Sequence, residues 1–279
     1  MDNFNPYRCQ ESATGHQAAL VVDSPHSGAF LPPDMHWQGD LRLLLANEDV
    51  GVDTLFADVP LLGGALLTAH VSRHYIDLNR GLDDLDPNLV AGVRPAATGY
   101  ETGGLIRPLP GLRRARLTQA ELEKRIEGVW RPYHMRLSHL LRQRREQHGA
   151  VWHLNAHSMP ADTRTQAGKL VDVVLGDRHG TTAAPEFAAV VSELCRKEGL
   201  SVAHNDPYAG VECVKRHGRP QQGQHSLQFE IGRQLFYNEE TFRFLPQMES
   251  FRITLNRILR GVISYTASAT RSRTLFAAE

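Results

Sequence analysis

Hydrophobic and polar positions along this chain switch between two periods, and each switch marks a predicted element. Short apolar runs over residues 18–21, 65–71, 150–155, 170–175, 201–203 and 226–229 read as buried strands. The first is closed by Ser24, Pro25 and Gly28, residues that stop strands. Tyr75-Ile76-Asp77-Leu78 reads as a further short strand leading into Asn79-Arg80. Leu41, Leu44 and Leu45 share one face and predict a helix over residues 40–46, followed by a short one over 53–59. Thr118-Gln119-Ala120-Glu121 is a capping box that opens a long helix to about residue 147, with a kink expected at Pro132. Helical periodicity returns over 185–198, where Gly199 stops it, and over 239–267. Two loops remain, 81–116 and 204–223. The first spans roughly 35 residues rich in Pro, Gly and Asp, a length typical of lids and binding loops. Strands alternating with helices, without an internal repeat, predict one α/β domain over residues 1–279. Its sheet is expected to be mixed, mostly parallel, and flanked by helices.

At 279 residues the chain can bury a substantial core, and 41% apolar with 22% charged residues is ordinary for a globular protein. Lys+Arg and Asp+Glu both number 31, so net charge gives no case for a nucleic-acid or anionic-membrane partner. No apolar run reaches membrane-spanning length. The N-terminal residues Met1 to Pro6 lack the basic-then-apolar order of a secretory signal. Cys9, Cys195 and Cys213 are odd in number and have no C-x-x-C spacing. They predict neither a disulfide framework nor a structural zinc site, and a reducing cytoplasm is the expected location. The basic run 142–145 reads as a solvated helix face. Nothing in the sequence specifies an oligomeric state. The 14 histidines lean towards metal or proton chemistry.

Candidate chemistry collects at strand ends. His26 follows the first strand, in the position where open α/β sheets hold ligands. Asn79-Arg80, His157 and Glu230 each follow a predicted strand in the same way, so the four segments can converge on one sheet edge. There is no G-x-x-x-x-G-K-[ST], no G-x-G-x-x-G after a strand, no G-x-S-x-G elbow, and no cysteine beside these strand ends. What remains is metal-assisted hydrolysis. It needs three N/O ligands with an open position, a metal that acidifies water and polarises a carbonyl, and a separate carboxylate to move the proton. His26, His157 and a carboxylate from the Glu48-Asp49 pair are candidate ligands, with Glu230 as the base. Helix capping accounts for Asp53 better than for that pair. Trp152 and His153 read as core, and Asp77 as an anchor for Arg80 or for loop backbone rather than a ligand. The plain alternative is that the histidines are ordinary loop residues.

Six blocks occur in one order: Pro25-His26-Ser27-Gly28, the acidic pair before Val52-Asp53, Tyr75 to Arg80, Asn155-Ala156-His157-Ser158, Arg216-His217-Gly218 and His225 to Glu230. Together they resemble the N-formylglutamate amidohydrolase family, which is similar in turn to zinc carboxypeptidases, aspartoacylase and succinylglutamate desuccinylase. The resemblance covers roughly residues 18–240. It implies one zinc ion, or another divalent metal, on His26, Asp49 and His157, with Glu230 as general base. Asn79 and Arg80 would clamp a substrate carboxylate, Arg216 would be a second cation, and His217 would donate to the oxyanion or hold a carboxylate. His225 would stand behind these groups. The carboxypeptidase-like relatives carry their carboxylate ligand three residues after the first histidine, and here that position is Ala29. The family pattern points instead to Asp49 rather than Glu48. The implied reaction cleaves N-formyl-L-glutamate, a small acidic substrate, to formate and L-glutamate in histidine breakdown. A loop at residues 102–105 would close over it on glycine hinges. The same residues also admit an amidohydrolase or carboxypeptidase-like enzyme for another N-acyl amino acid, and a non-catalytic binder of acidic metabolites.

Overall fold

The structure is a computed structural model that describes residues 5–12, 15, 17–35, 37, 39–93, 104–108 and 116–276. In chain order its elements begin with β1 (Tyr7–Gln10), β2 (Leu20–Ser24), α1 (Leu41–Leu45), α2 (Val52–Leu55) and β3 (Ala65–Ala69). They continue with α3 (Gln119–Arg125), α4 (Arg131–His148), β4 (Val151–Met159), β5 (Val173–Gly176), α5 (Pro185–Lys197) and β6 (Val202–His204). The last are α6 (Glu212–His217), β7 (Gln224–Gly232), β8 (Tyr237–Asn238), β9 (Arg243–Phe244) and α7 (Met248–Phe276).

Seven strands form one sheet in the order β1-β3-β2-β4-β7-β5-β6. β3, β2, β4 and β7 run parallel, whereas β1 pairs antiparallel with β3 and β5 antiparallel with β7. The expected mixed, mostly parallel α/β sheet is therefore present. The chain leaves β2 for β3 on one side and later returns on the other side as β4, so the β2–β4 boundary is a switch point. Ligand sites open at the carboxyl edge of such a point.

Strand side chains alternate between the two faces, and the alternation separates two cores. Leu20 and Val22 of β2, Trp152, Leu154 and Ala156 of β4, and Leu227 and Phe229 of β7 pack against α2, α5 and α7. The opposite face starts apolar at Val21 and Val151, packed against Tyr133, Leu137 and Leu141 of α4. Towards the carboxyl edge that same face turns polar: Asp23; His153, Asn155 and His157; Ser226, Gln228 and Glu230. All seven are buried. Asp23 accepts from Tyr133 Oη (2.8 Å), His153 Nε2 (2.8 Å) and Asn155 Nδ2 (2.7 Å). Burial pushes its carboxyl up, but His153 and the three donors outweigh burial and hold it below the usual range. Trp152 and His153 are core residues, as expected.

The capping box holds, with Thr118 Oγ1 accepting from Glu121 N at 3.2 Å and Glu121 Oε2 accepting from Thr118 N at 2.8 Å. Gly199 follows α5 with φ of 83°, the left-handed turn that favours glycine. The break expected at Pro132 takes the form of a π-helical turn, Ile126–Trp130, just before it. Such a turn accommodates a residue with no N–H to donate. Several expectations are corrected. Tyr75 to Leu78 form turns rather than a strand, because both edges of β3 are already taken by β1 and β2. The loop 204–223 contains α6. The last helix starts at Met248, after β8 and β9 form a two-stranded ribbon and Pro246 follows. Arg144, in the run read as solvated, is buried and pairs with Glu11 at 3.2 Å. Among the described residues no helix is long and apolar enough to cross a membrane.

Tyr133→Phe removes one donor from a buried carboxylate while keeping the ring. It is expected to destabilise the protein by about 1–3 kcal/mol, read as a lower urea midpoint at unchanged slope. An unchanged midpoint would remove Asp23 from the stability account.

Candidate active site

His26 lies two residues past β2, held against the chain that leaves β3. Gly28 makes this possible, since a Cβ there would sit 2.4 Å from the Val71 carbonyl oxygen. The His26 carbonyl accepts from Asp49 N at 3.0 Å, which ties the acidic loop to the histidine loop. His157 stands within β4, not in the loop beyond it, on the polar face described above. The three side chains meet. Each of His26, Asp49 and His157 offers one ligand atom, and these atoms lie within 4.8 Å of one another. Asp49 Oδ2 is 2.9 Å from His157 Nδ1 and 3.4 Å from His26 Nδ1, and the two imidazole centroids are 4.7 Å apart.

Hydrogen bonds behind each ring set its tautomer. His26 Nε2 lies 2.7 Å from Asp77 Oδ1, and a carboxylate can only accept, so Nε2 carries the proton and Nδ1 keeps its lone pair. That Nδ1 is buried without a hydrogen-bond partner. Burial would raise the Asp77 carboxyl, but Arg73 and His26 hold it well below the usual range. For His157 the anchor is neutral. Asn155 gives its Nδ2 to Asp23, so its Oδ1 faces His157 Nε2 at 2.8 Å and takes that proton. His157 Nδ1 faces Asp49 Oδ2 at 2.9 Å, a hydrogen-bond contact that a cation held by both would replace. Two inward lone pairs and a carboxylate make a donor set that fits a divalent cation. Burial pushes the Asp49 carboxyl up, and the adjoining His157 and His26 imidazoles bring it well below its ordinary value. Glu48 points elsewhere: Ser72 Oγ donates to its Oε1, and burial pushes its carboxyl up to about 8. Of the acidic pair, Asp49 is the member at the cluster.

These residues open onto a cleft of about 440 Å³. Glu230, the register neighbour of His157, lines it and accepts from Gln228 Nε2 at 2.8 Å. Burial raises the Glu230 carboxyl to about 7, against the pull of His157. Four arginines line the cleft: Arg73, Arg80, Arg107 and Arg233. Arg73 and Arg233 are held in close ion pairs with Asp77 (2.8 Å) and Glu239 (2.9 Å). Among the described residues Arg80 pairs with Asp84 at 3.7 Å and Arg107 with Asp77 at 3.3 Å. Asn79 also lines the cleft, with its Oδ1 accepting from Cys213 N at 2.8 Å. Its Nδ2 is 3.1 Å from His157 Nε2, which ties the amide to the ligand cluster.

Six expected residues are thus together: His26, Asp49, His157, Asn79, Arg80 and Glu230. Two are not. Arg216 and His217 sit at the end of α6, which turns them towards α4 and a different cavity. Arg216 pairs with Glu212 at 2.7 Å and lies 4.6 Å over the Trp130 ring, while His217 Nε2 bonds His134 Nδ1 at 3.0 Å. His225 stacks on Trp152 at 5.4 Å, away from the cluster. Asp77 accepts from Asn79 N, as expected of a backbone anchor, and also orients His26. Of the loop expected to close, Thr102 and Gly103 lie outside the described residues. Leu105 is buried, and its N–H donates to the Asp84 carbonyl at 2.7 Å. Arg73, Arg107 and Arg233 were missed, since each is a lone cation outside any periodic pattern.

A His-carboxylate-His group beside a buried glutamate, at the carboxyl edge of a mixed sheet, is the donor set of metal-dependent hydrolases as a class. A family model described as N-formylglutamate amidohydrolase matches residues 18–237. The chain belongs to that family. It is 36% identical to the N-formylglutamate amidohydrolase of Ralstonia eutropha JMP134, whose crystal structure superposes with a TM-score of 0.87 over 95% of this chain and 100% of that one. It is 29% identical to an N-formylglutamate deformylase of Pseudomonas putida over 255 residues, 89% of this chain and 93% of the relative. With the Pseudomonas aeruginosa deformylase identity is 27% over 253 residues, 88% and 93% of the two chains.

Asp77→Asn keeps the shape but weakens the acceptor behind His26. Affinity for zinc, measured by competition with a chromophoric chelator, is expected to fall about 10- to 100-fold. Unchanged affinity would show that His26 needs no such anchor.

Proposed function

We propose that this protein is a metal-dependent amidohydrolase that cleaves the formyl amide of N-formyl-L-glutamate to formate and L-glutamate, with zinc as its metal. The observation that carries this reading is the meeting of His26, Asp49 and His157 beside Glu230, in a cleft lined by four arginines. The names of the Ralstonia and Pseudomonas relatives agree with it. A divalent ion on the three ligands would supply Lewis acidity, polarising the formyl carbonyl and acidifying water near neutral pH.

The rest of the chemistry belongs to the chain. N-formylglutamate is a dianion, and the arginines lining the cleft match it in sign. We assign two of them, Arg80 and Arg107, to the substrate carboxylates, with the Asn79 amide beside them. Glu230 takes a proton from the attacking water and delivers it to the amide nitrogen as the C–N bond breaks. Burial favours that exchange by holding its carboxyl near neutrality. Arg73 and Arg233 stay with Asp77 and Glu239 and brace the ligand loops. Cys9, Cys195 and Cys213 are free thiols, which fits a reducing compartment, and we assign the protein to the cytoplasm.

Glu230→Gln is expected to retain zinc and lose turnover of N-formyl-L-glutamate by about 10²–10⁴-fold. Retained turnover would dismiss Glu230 as the base. Zinc loaded without formate release by the unaltered protein would leave a binder rather than an enzyme. Arg80→Gln should lower kcat/KM by about 10- to 100-fold, chiefly through KM, since a charged hydrogen bond contributes about 1.5–3 kcal/mol. Faster release from another N-acyl amino acid than from N-formyl-L-glutamate would reassign the substrate.

A further inference from the structure

A second cavity, of about 680 Å³, lies between the start of α4 and the turn from α6 to β7. Four arginines line it, Arg131, Arg142, Arg216 and Arg219, and among its described lining residues there is no Asp or Glu. Overall composition does not account for this, because basic and acidic residues balance at 31 each along the chain.

The carboxylates that touch Arg131 and Arg142 are weak competitors. Arg131 pairs with Glu127, and Arg142 with Glu146 at 4.0 Å; each pair lies one turn apart on its helix and is roughly half exposed or more. Such pairs contribute little and are readily exchanged. Arg219 Nη1 donates only to backbone carbonyls, of Lys215 and Gly218. Arg216 lies 4.6 Å over the Trp130 ring and is paired with the buried Glu212 at 2.7 Å. The floor is the buried His134–His217 pair. Burial, reinforced by Arg216, pushes both imidazoles below their ordinary range, so they are neutral and leave the cationic work to the arginines.

This cavity also backs onto the active site. His134 Nε2 donates to the Leu78 carbonyl at 2.9 Å, and Trp130 Nε1 to the Arg80 carbonyl at 3.0 Å. From the other side, Cys213 N in α6 donates to Asn79 Oδ1 at 2.8 Å, while the same six-residue helix ends at Arg216 and His217. Leu78 to Arg80 are thus held by the elements that wall the second cavity.

We propose that this cavity is a second ligand site, for a small organic polyanion bearing phosphate or carboxylate groups, and that it acts as an effector site on Asn79 and Arg80. The effector role rests on the deformylase reading; the binding site does not. A guanidinium fork takes phosphate or carboxylate in bidentate fashion, and Trp130 offers an apolar wall beside it.

The test is calorimetric titration of the zinc-loaded protein with 2-phosphoglycerate at fixed ionic strength. Arg80→Gln, which weakens anion binding in the active-site cleft, is expected to keep one site. Arg142→Gln/Arg219→Gln is expected to weaken that site at least tenfold, and Arg142→Lys/Arg219→Lys to recover most of the affinity. Circular dichroism checks that each variant folds. Equal affinity in the Gln double variant, loss of all binding in Arg80→Gln, or no binding in the unaltered protein would overturn the site. The ligand should also shift KM for N-formyl-L-glutamate at least twofold in the unaltered protein and leave the Gln double variant unmoved. A KM that does not move overturns the effector role. Binding intact with no turnover at all refutes the deformylase reading and leaves the binding site standing.

Discussion

Everything at the carboxyl edge of the sheet depends on burying charge that only its neighbours can satisfy. Asp23, Asp49, Asp77 and Glu230 are all nearly removed from water, and so are His26, His153 and His157. A buried carboxylate deprived of its partner costs several kcal/mol, so each group holds the next in place. Asp77 shows the degree of sharing. It takes hydrogen bonds from His26, Arg73, Arg107 and the Asn79 backbone, so four donors share one buried charge. The geometry of the ligand cluster therefore follows from the polar satisfaction behind it.

The sheet supplies the order in which that satisfaction is built. Alternation puts Asp23, His153, Asn155, His157, Ser226, Gln228 and Glu230 on one face, and parallel pairing of β4 with β7 sets His157 beside Glu230. At the amino end the same face is apolar and packs on α4; at the carboxyl end it becomes a polar wall. One helix layer can thus cover both, with Tyr133 reaching across to Asp23. The cleft thus brings Asp49 and Glu230 together with Asn79 and arginines from separate loops.

Much of this is visible before any coordinates. The apolar runs of β2, β3, β4 and β7 are strong because parallel strands are buried on both faces, and polar residues at their ends stand out against them. His26, His157 and Glu230 were found that way, and Asp49 came from family likeness. What stayed hidden has physical reasons. Tyr75, Ile76 and Leu78 are all buried, like a strand, yet both edges of β3, the strand before them, are taken by β1 and β2. α6 has six residues, too few to show a helical period, so Arg216 and His217 looked like loop residues free to reach the metal cluster. Arg73, Arg107 and Arg233 carry no local pattern, and their place follows from long-range folding alone.

The two histidines are not equivalent, and the difference bears on reactivity. His26 is backed by a carboxylate and His157 by a neutral amide. A carboxylate behind a ligating imidazole raises its basicity and feeds negative charge towards the cation. With Asp49 already a ligand, an anion behind each ring would leave little net charge on a divalent ion. Here the Asp77 charge is divided among His26, Arg73 and Arg107, and the position behind His157 carries none. Asn155 can play that part only because Asp23 fixes which way its amide faces. A buried aspartate that lines no part of the cleft would thus bear both on the tautomer of His157 and on how electrophilic an ion held there remained.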